Sequence, residues 1–318
     1  MDIESEDCAQ AVGASSLARH SSTFHAAHRL LGEQVGEDVE LLYGFCRYVD
    51  DSVDEQPIPA AEAALAQLRM ELRAQRSSVP EVCGFFQLGR QHQIDPLVTE
   101  AFLAGFEEDL APRAYRTTAE LLRYCYRVAG TVGLLMCSLL DVAQEEAYPF
   151  AIDLGIGMQL TNICRDVRED ASRGRVYLPA DLTNGPLDSD FLRLGRMRDE
   201  QRARAAIGDL LALAGEYYRS GEAGLGYLPA RPRAAVAVAA RCYEAIGDRV
   251  LSAPEGCVPE RVFVSGRTKA FLALKLALPF TRAAVRTTMR RDACRVTHRE
   301  ELHAALAGLP GANPKLCS

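Results

Sequence analysis

Three carboxylates, Asp50, Asp51 and Asp54, stand in the stretch YGFCRYVDDSVD at residues 43–54. Leu42, just before this stretch, and Phe45, Val49 and Val53 within it follow helical 3-4-4 spacing, so the acids border a face built for burial. Asp50 and Asp54 are four apart on one face, where two like charges cost an isolated helix ~0.2–0.5 kcal/mol and call for a cation. The stretch alone reads either as the solvated acidic end of a surface helix or as half of a divalent metal site. A second line, Gln159, Asn162, Asp166 and Asp170, repeats the 3-4-4 spacing beside the apolar stripe Ile156, Leu160, Ile163 and Val167. Two such lines in one helical chain predict facing helices whose carboxylates converge across a central cavity. Hard cations such as Mg²⁺ take one or two carboxylates and complete their shell with water and substrate phosphate. Arg47 and Arg165 lie beside the acids and suit charge-assisted hydrogen bonds to phosphate oxygens. The chemistry that needs such a set is ionisation of a diphosphate ester, with the leaving group stabilised and a carbocation kept from water in an apolar pocket.

The elements that must position these residues are helical almost throughout. Long segments show 3.6-residue periodicity, and no succession of alternating apolar and polar runs bounded by turns is found, so the chain is expected to be an all-α bundle. Helices are predicted from about 15 or 21 to 31, from 36 to a stop at Pro57 and Pro59, over 60–75, 98–109, 118–140, 149–170, 198–219, 234–251 and 259–291, with Pro80 and Pro96 as punctuation. A loop is expected over 174–190, around Pro179, Gly185 and Pro186, and long loops in compact domains often carry function. The expected organisation is one domain over 15–307, between a disordered acidic N-terminus at 1–14 and a flexible tail at 308–318.

Composition excludes several classes. The chain has 318 residues, 48% of them hydrophobic, and a formal net charge of -7, which argues against nucleic acid as a partner. Ten cysteines occur without a C-x-x-C pair, and Cys46, Cys125, Cys137 and Cys164 sit in apolar helical stretches as small hydrophobes. The opening MDIESEDCAQ lacks the basic start and apolar run of a signal peptide. The longest uncharged apolar run, 128–140, falls short of the ~18 residues of a membrane span. A cytoplasmic protein, at most peripheral to a membrane, is expected.

Five segments in one order carry a resemblance: HSSTF at 20–24, YGFCRYVDDSVDE at 43–55, YCYRVAGTVG at 124–133, QLTNICRDVREDASRGRVYLP at 159–179 and RVFVSGRTKA at 261–270. Together they resemble the squalene/phytoene synthase family over about 19–278. The resemblance implies the all-α class I isoprenoid synthase fold with a central cavity. It implies Mg²⁺, with Mn²⁺ as the alternative ion, held by Asp50, Asp54, Asn162, Asp166 and Asp170, with Asp51 a weaker candidate. Arg47, Gln159, Arg165, Tyr177 and Arg267 would contact diphosphate, with His20, Ser21 and Tyr243 nearby. Tyr124 would sit beside the reacting carbons, where a phenol steadies a cation or relays a proton. Val128, Ala129, Val132, Gly133, Met136, Leu154 and Met158 would line a prenyl tunnel, although periodicity alone reads them as core and reads Gly130 and Gly133 as tight helix packing.

The implied reaction is a prenyl transfer in which an allylic isoprenoid diphosphate ionises and alkylates a second substrate. In the family's usual reaction the partner is another prenyl diphosphate, joined head to head to a phytoene or squalene-type product, and NADPH is not expected here. Some relatives instead use a small aromatic acceptor, and a non-catalytic lipid-binding or assembly factor is the reading from another class. The chain departs from the family's form at Ser22, where lysine is usual, and at Tyr48, where a basic residue is common. His25 and His28 stand where aromatic or apolar residues are expected. These departures suit a site that takes one prenyl diphosphate and one neutral acceptor. The basic face Arg282, Arg286, Arg290, Arg291, Arg295 and Arg299 reads as a solvated helix or as a contact with an anionic membrane.

Overall fold

The computed structural model describes residues 31–111, 114–194, 197–252 and 296–312. Among these, every regular element is helical, and the one departure is an isolated parallel bridge between Ala114 and Val176. The helices are α1 (Glu33–Asp54), α2 (Ile58–Ala74), α3 (Pro80–His92), α4 (Pro96–Glu108), α5 (Thr118–Cys125), α6 (Thr131–Leu139), α7 (Tyr148–Ser172), α8 (Ala180–Thr183), α9 (Ser189–Leu194), α10 (Met197–Ala223) and α11 (Ala230–Leu251). Proline opens α2, α3 and α4, where a missing N–H and a fixed φ suit the first turn. Asp95 caps α4 by accepting from the Leu97 N–H at 2.8 Å. Thr117 caps α5 by accepting from Glu120 N–H at 3.2 Å, while Glu120 accepts from the Arg116 N–H.

The sequence reading holds for the helix class and for both apolar stripes. Leu42, Phe45, Val49 and Val53 are buried on α1, with Phe45 stacked on Phe85 at 3.9 Å, and Ile156, Leu160, Ile163 and Val167 are buried on α7. Three local differences have physical causes. The residues after Pro80 form α3, because the proline starts a helix there instead of ending one. The helix expected over 118–140 is interrupted by a π turn, Tyr126–Gly130, between α5 and α6. The loop expected over 174–190 contains the single turn α8 and the start of α9.

α7 is the axial element, packed against α10, α11, α9 and the α5–π–α6 unit. Its approach to α6 and to the π turn before it is set by two glycines. A Cβ on Gly133 would lie 2.3 Å from the Ala151 carbonyl oxygen, and one on Gly155 would lie 2.3 Å from that of Ala129. At Gly133 the direction a side chain would take is filled by a neighbouring backbone, as the reading of tight helix packing expects.

Of the flexible tail expected over 308–318, residues 308–312 are described. A segment over 296–312 straps three helices together. Arg123 of α5 donates to the Ala305 and Ala307 carbonyls, Tyr126 donates to Pro310 at 2.5 Å, and Tyr217 of α10 donates to Leu302 at 2.8 Å. Leu302, His303, Leu306 and Ala312 are buried. The 259–291 helix, the first motif and all of the basic face except Arg299 lie outside the described residues. Arg299 is exposed and pairs with Glu216 and Glu301. Among the described residues no helix is long and apolar enough to cross a membrane.

Candidate active site

The C-terminal end of α1 and the C-terminal half of α7 each present carboxylates beside a buried stripe, as their spacing requires. On α1, Arg47 reaches Asp50 at 2.8 Å and Asp51 at 2.5 Å. On α7, Arg165 grips Asp166 with two nitrogens, at 2.8 and 2.5 Å. The link between the walls is a feature that spacing alone did not reveal. Gly174, at φ +75°, turns the chain just past α7 so that Arg173 and Arg175 on either side of it both pair with Asp54, Arg175 at 2.5 Å. The same two guanidinium groups act on Asp170, so both acidic lines surround one cationic hinge.

The carboxylates are nonetheless crowded. Burial, then the neighbouring Asp54, pushes Asp50 up to about 6 against the pull of Arg47. Burial, then Asp166, pushes Asp170 up to about 8, with Arg173 and Arg175 opposing. Carboxyls held this far above their ordinary range mark a site short of positive charge. Asn162 lies in the same line: its amide donates to Gln159 at 3.3 Å while its Oδ1 is buried without a hydrogen-bond partner. An orphaned amide oxygen among crowded carboxylates is the hard-oxygen donor set that Mg²⁺ takes, so the residues present fit a divalent ion. Tyr243 of α11 lies beside Arg165, Asp166 and Asn162 and also within electrostatic reach of Tyr43 on α1; burial pushes both phenols up.

Tyr124 and Tyr177 are brought together, and what joins them is Asp109. Its carboxylate accepts from Tyr177 at 2.7 Å and from Tyr124 at 2.9 Å, and the two rings stack at 5.1 Å. Burial, then the adjacent Asp109, holds the Tyr124 phenol well above its ordinary value, and the same two causes raise Tyr177. Both phenols are therefore neutral donors. Asp109, Tyr177, Arg175 and Asp54 share the wall of a cavity of about 320 Å³. Sequence reasoning missed Asp109, Arg173 and Arg175. The two arginines flank a glycine directly after the second acidic line, which was a usable signal; Asp109 carried none, because its partners lie in two distant motifs.

The face of α7 that keeps some exposure is apolar at Ala151, Leu154 and Met158 and turns polar at Gln159, Asn162, Asp166 and Asp170. Val128, Val132 and Met136, on the π turn and α6, are likewise partly exposed apolar residues. A polar mouth thus continues into an apolar stretch along a single helix. The acidic neighbours of Tyr48 are Glu71 and Glu81 of α2 and α3. His20, Ser21, Ser22, His25, His28 and Arg267 lie outside the described residues.

The chain is similar to known proteins over most of its length. A family model described as squalene/phytoene synthase matches residues 17–268. The 15-cis-phytoene synthase of Enterobacter agglomerans is 36% identical over 272 residues, covering 81% of this chain and 90% of the relative. The phytoene synthase of Thermus thermophilus is 40% identical over 240 residues, covering 74% and 80%. A crystal structure of a dehydrosqualene synthase in complex with ligand superposes with a TM-score of 0.74 at 24% identity, covering 88% of this chain and 98% of that one. A squalene synthase from Alicyclobacillus acidocaldarius follows at 0.67 and 21% identity, covering 79% and 95%.

Proposed function

Because this chain belongs to the squalene/phytoene synthase family, we propose that it is a prenyltransferase that joins two allylic prenyl diphosphates head to head, with a phytoene-type product. The observation that carries the reading is the α7 face: apolar where a prenyl tail would lie, then polar where a diphosphate would sit, opposite the acids of α1. Asp50, Asp54, Asn162, Asp166 and Asp170 are the residues that would hold Mg²⁺. The ion supplies positive charge to the departing diphosphate.

Arg47, Arg165, Arg173 and Arg175 offer guanidinium donors to the same leaving group, with Gln159, Tyr177 and Tyr243 as neutral partners. Val132, Met136, Leu154 and Met158 keep water from the cation left behind. Asp109 fixes the phenols of Tyr124 and Tyr177 in one orientation by accepting from both. Loss of a proton at the end of the condensation balances the reaction without a hydride donor, which is why NADPH is left out of the proposal. The phytoene synthases of Enterobacter agglomerans and Thermus thermophilus support the longer, geranylgeranyl-derived substrate.

The test is incubation with geranyl, farnesyl and geranylgeranyl diphosphates and Mg²⁺, with and without NADPH, following diphosphate release and identifying the lipid. A C40 hydrocarbon from geranylgeranyl diphosphate alone is the expected result. Turnover only on addition of a small aromatic acceptor would replace the head-to-head reading, and no turnover under any condition would favour a binding protein.

A further inference from the structure

The N-terminal half of α7 carries a second buried carboxylate that the proposed reaction does not use. Asp153 is fully buried. Its Oδ1 lies 2.8 Å from His303 Nε2 and its Oδ2 lies 2.8 Å from His298 Nε2, both on the C-terminal strap. The two imidazole rings are 4.4 Å apart, and one ligand atom from each of the three residues lies within 4.8 Å of the others. We propose that Asp153, His298 and His303 form a transition-metal site of the Zn²⁺ class, separate from the acidic cluster, that fastens the strap to α7.

Three features support the assignment. Two imidazole nitrogens and one carboxylate suit Zn²⁺ and its neighbours and disfavour Mg²⁺, which takes oxygen. The spacing brings all three within reach of one ion with bonds of roughly 2.0–2.2 Å. His303 Nδ1 lies 2.7 Å from the Ala312 carbonyl, the backing bond that orients a metal-ligating imidazole and fixes Nε2 as the free nitrogen. His298 is the least buried of the three, its side chain 11% exposed, and gives the ion a way in.

The site is tested on the full chain, stripped with chelator and returned to millimolar Mg²⁺ so that the oxygen-donor site is filled. Titration with Co²⁺ is expected to give a visible d–d band that saturates at one Co²⁺ per chain and is displaced by Zn²⁺. His298→Gln, at the most exposed ligand, should weaken Co²⁺ binding by more than the ~10–100-fold that follows loss of a residue merely supporting a ligand, with the helical circular dichroism retained. Asp170→Asn should leave the band unchanged. Absence of a band in the unmodified chain, a band of full strength in His298→Gln, or its loss in Asp170→Asn would each overturn the assignment.

Discussion

The two ends of α7 treat a buried carboxylate in opposite ways. At the C-terminal end Asp170 sits among other acids, and burial together with Asp166 lifts it to about 8. At the N-terminal end burial would lift Asp153 as well, yet hydrogen bonds from His298 and His303 hold it below the ordinary aspartate value. Burial is shared by both, so the neighbours decide the outcome. One end crowds its carboxylate among other acids; the other sets its carboxylate between two imidazoles.

Substitutions at the two ends should therefore separate activity from stability. Asp170→Asn is expected to lower kcat by ~100–1,000-fold, the scale of losing one preorganised electrostatic group, with unchanged circular dichroism; Asp54→Asn and Asp166→Asn should behave alike. Near-normal turnover in any of them would break the contrast. Asp153→Asn should act on the fold, lowering stability by about 3–5 kcal/mol in urea unfolding, because one partner of a buried charged cluster is removed. Between the ends, Gly133→Ala places a methyl against a carbonyl that belongs to a packed helix and should cost ~1–3 kcal/mol, read as a lowered Tm.

The pH dependence of the metal-free chain sharpens the same comparison. Asp50 and Asp170 both have folded values above the ~3.9 of an unfolded aspartate, so over that window the folded chain binds more protons than the unfolded one. Their contribution to stability is therefore fully present at low pH and is lost as pH rises through about 6 and about 8. Urea midpoints should fall across that interval in chelator, and saturating Mg²⁺ should flatten the slope; a midpoint that rises with pH in chelator would contradict the crowding. The smallest effect is expected from Tyr48→Lys, which meets Glu71 and Glu81 and should leave kcat and KM unchanged.

What was legible in the sequence follows the range of the forces involved. The stripes of α1 and α7 and the acidic lines beside them could be read because helical periodicity is local. The convergence of the lines was inferable in outline, but its means, Arg173 and Arg175 turning back at Gly174, depended on a backbone turn. Asp109 bonds to tyrosines 15 and 68 residues away, and Asp153 to histidines 145 and 150 residues away, and no spacing rule spans such gaps. The tail was read as flexible from 308 because chain ends are often loose, and the contacts of Pro310 with Tyr126 and of Ala312 with His303 are again too far apart in sequence for a local rule to find.

The paired contacts of Gly133 and Gly155 bear on how product length could be altered. Where side chains separate two helices, a larger residue in the channel between them is absorbed by a small slide of one helix on the other. Here backbone touches backbone in both directions, and neither helix has slack to give. Volume added at Val132, Met136 or Met158 should be subtracted directly from the space left for the lipid. On the proposed reading, α6 and α7 would act as a rigid gauge for the prenyl chain, with the bulk of these residues expected to set product length.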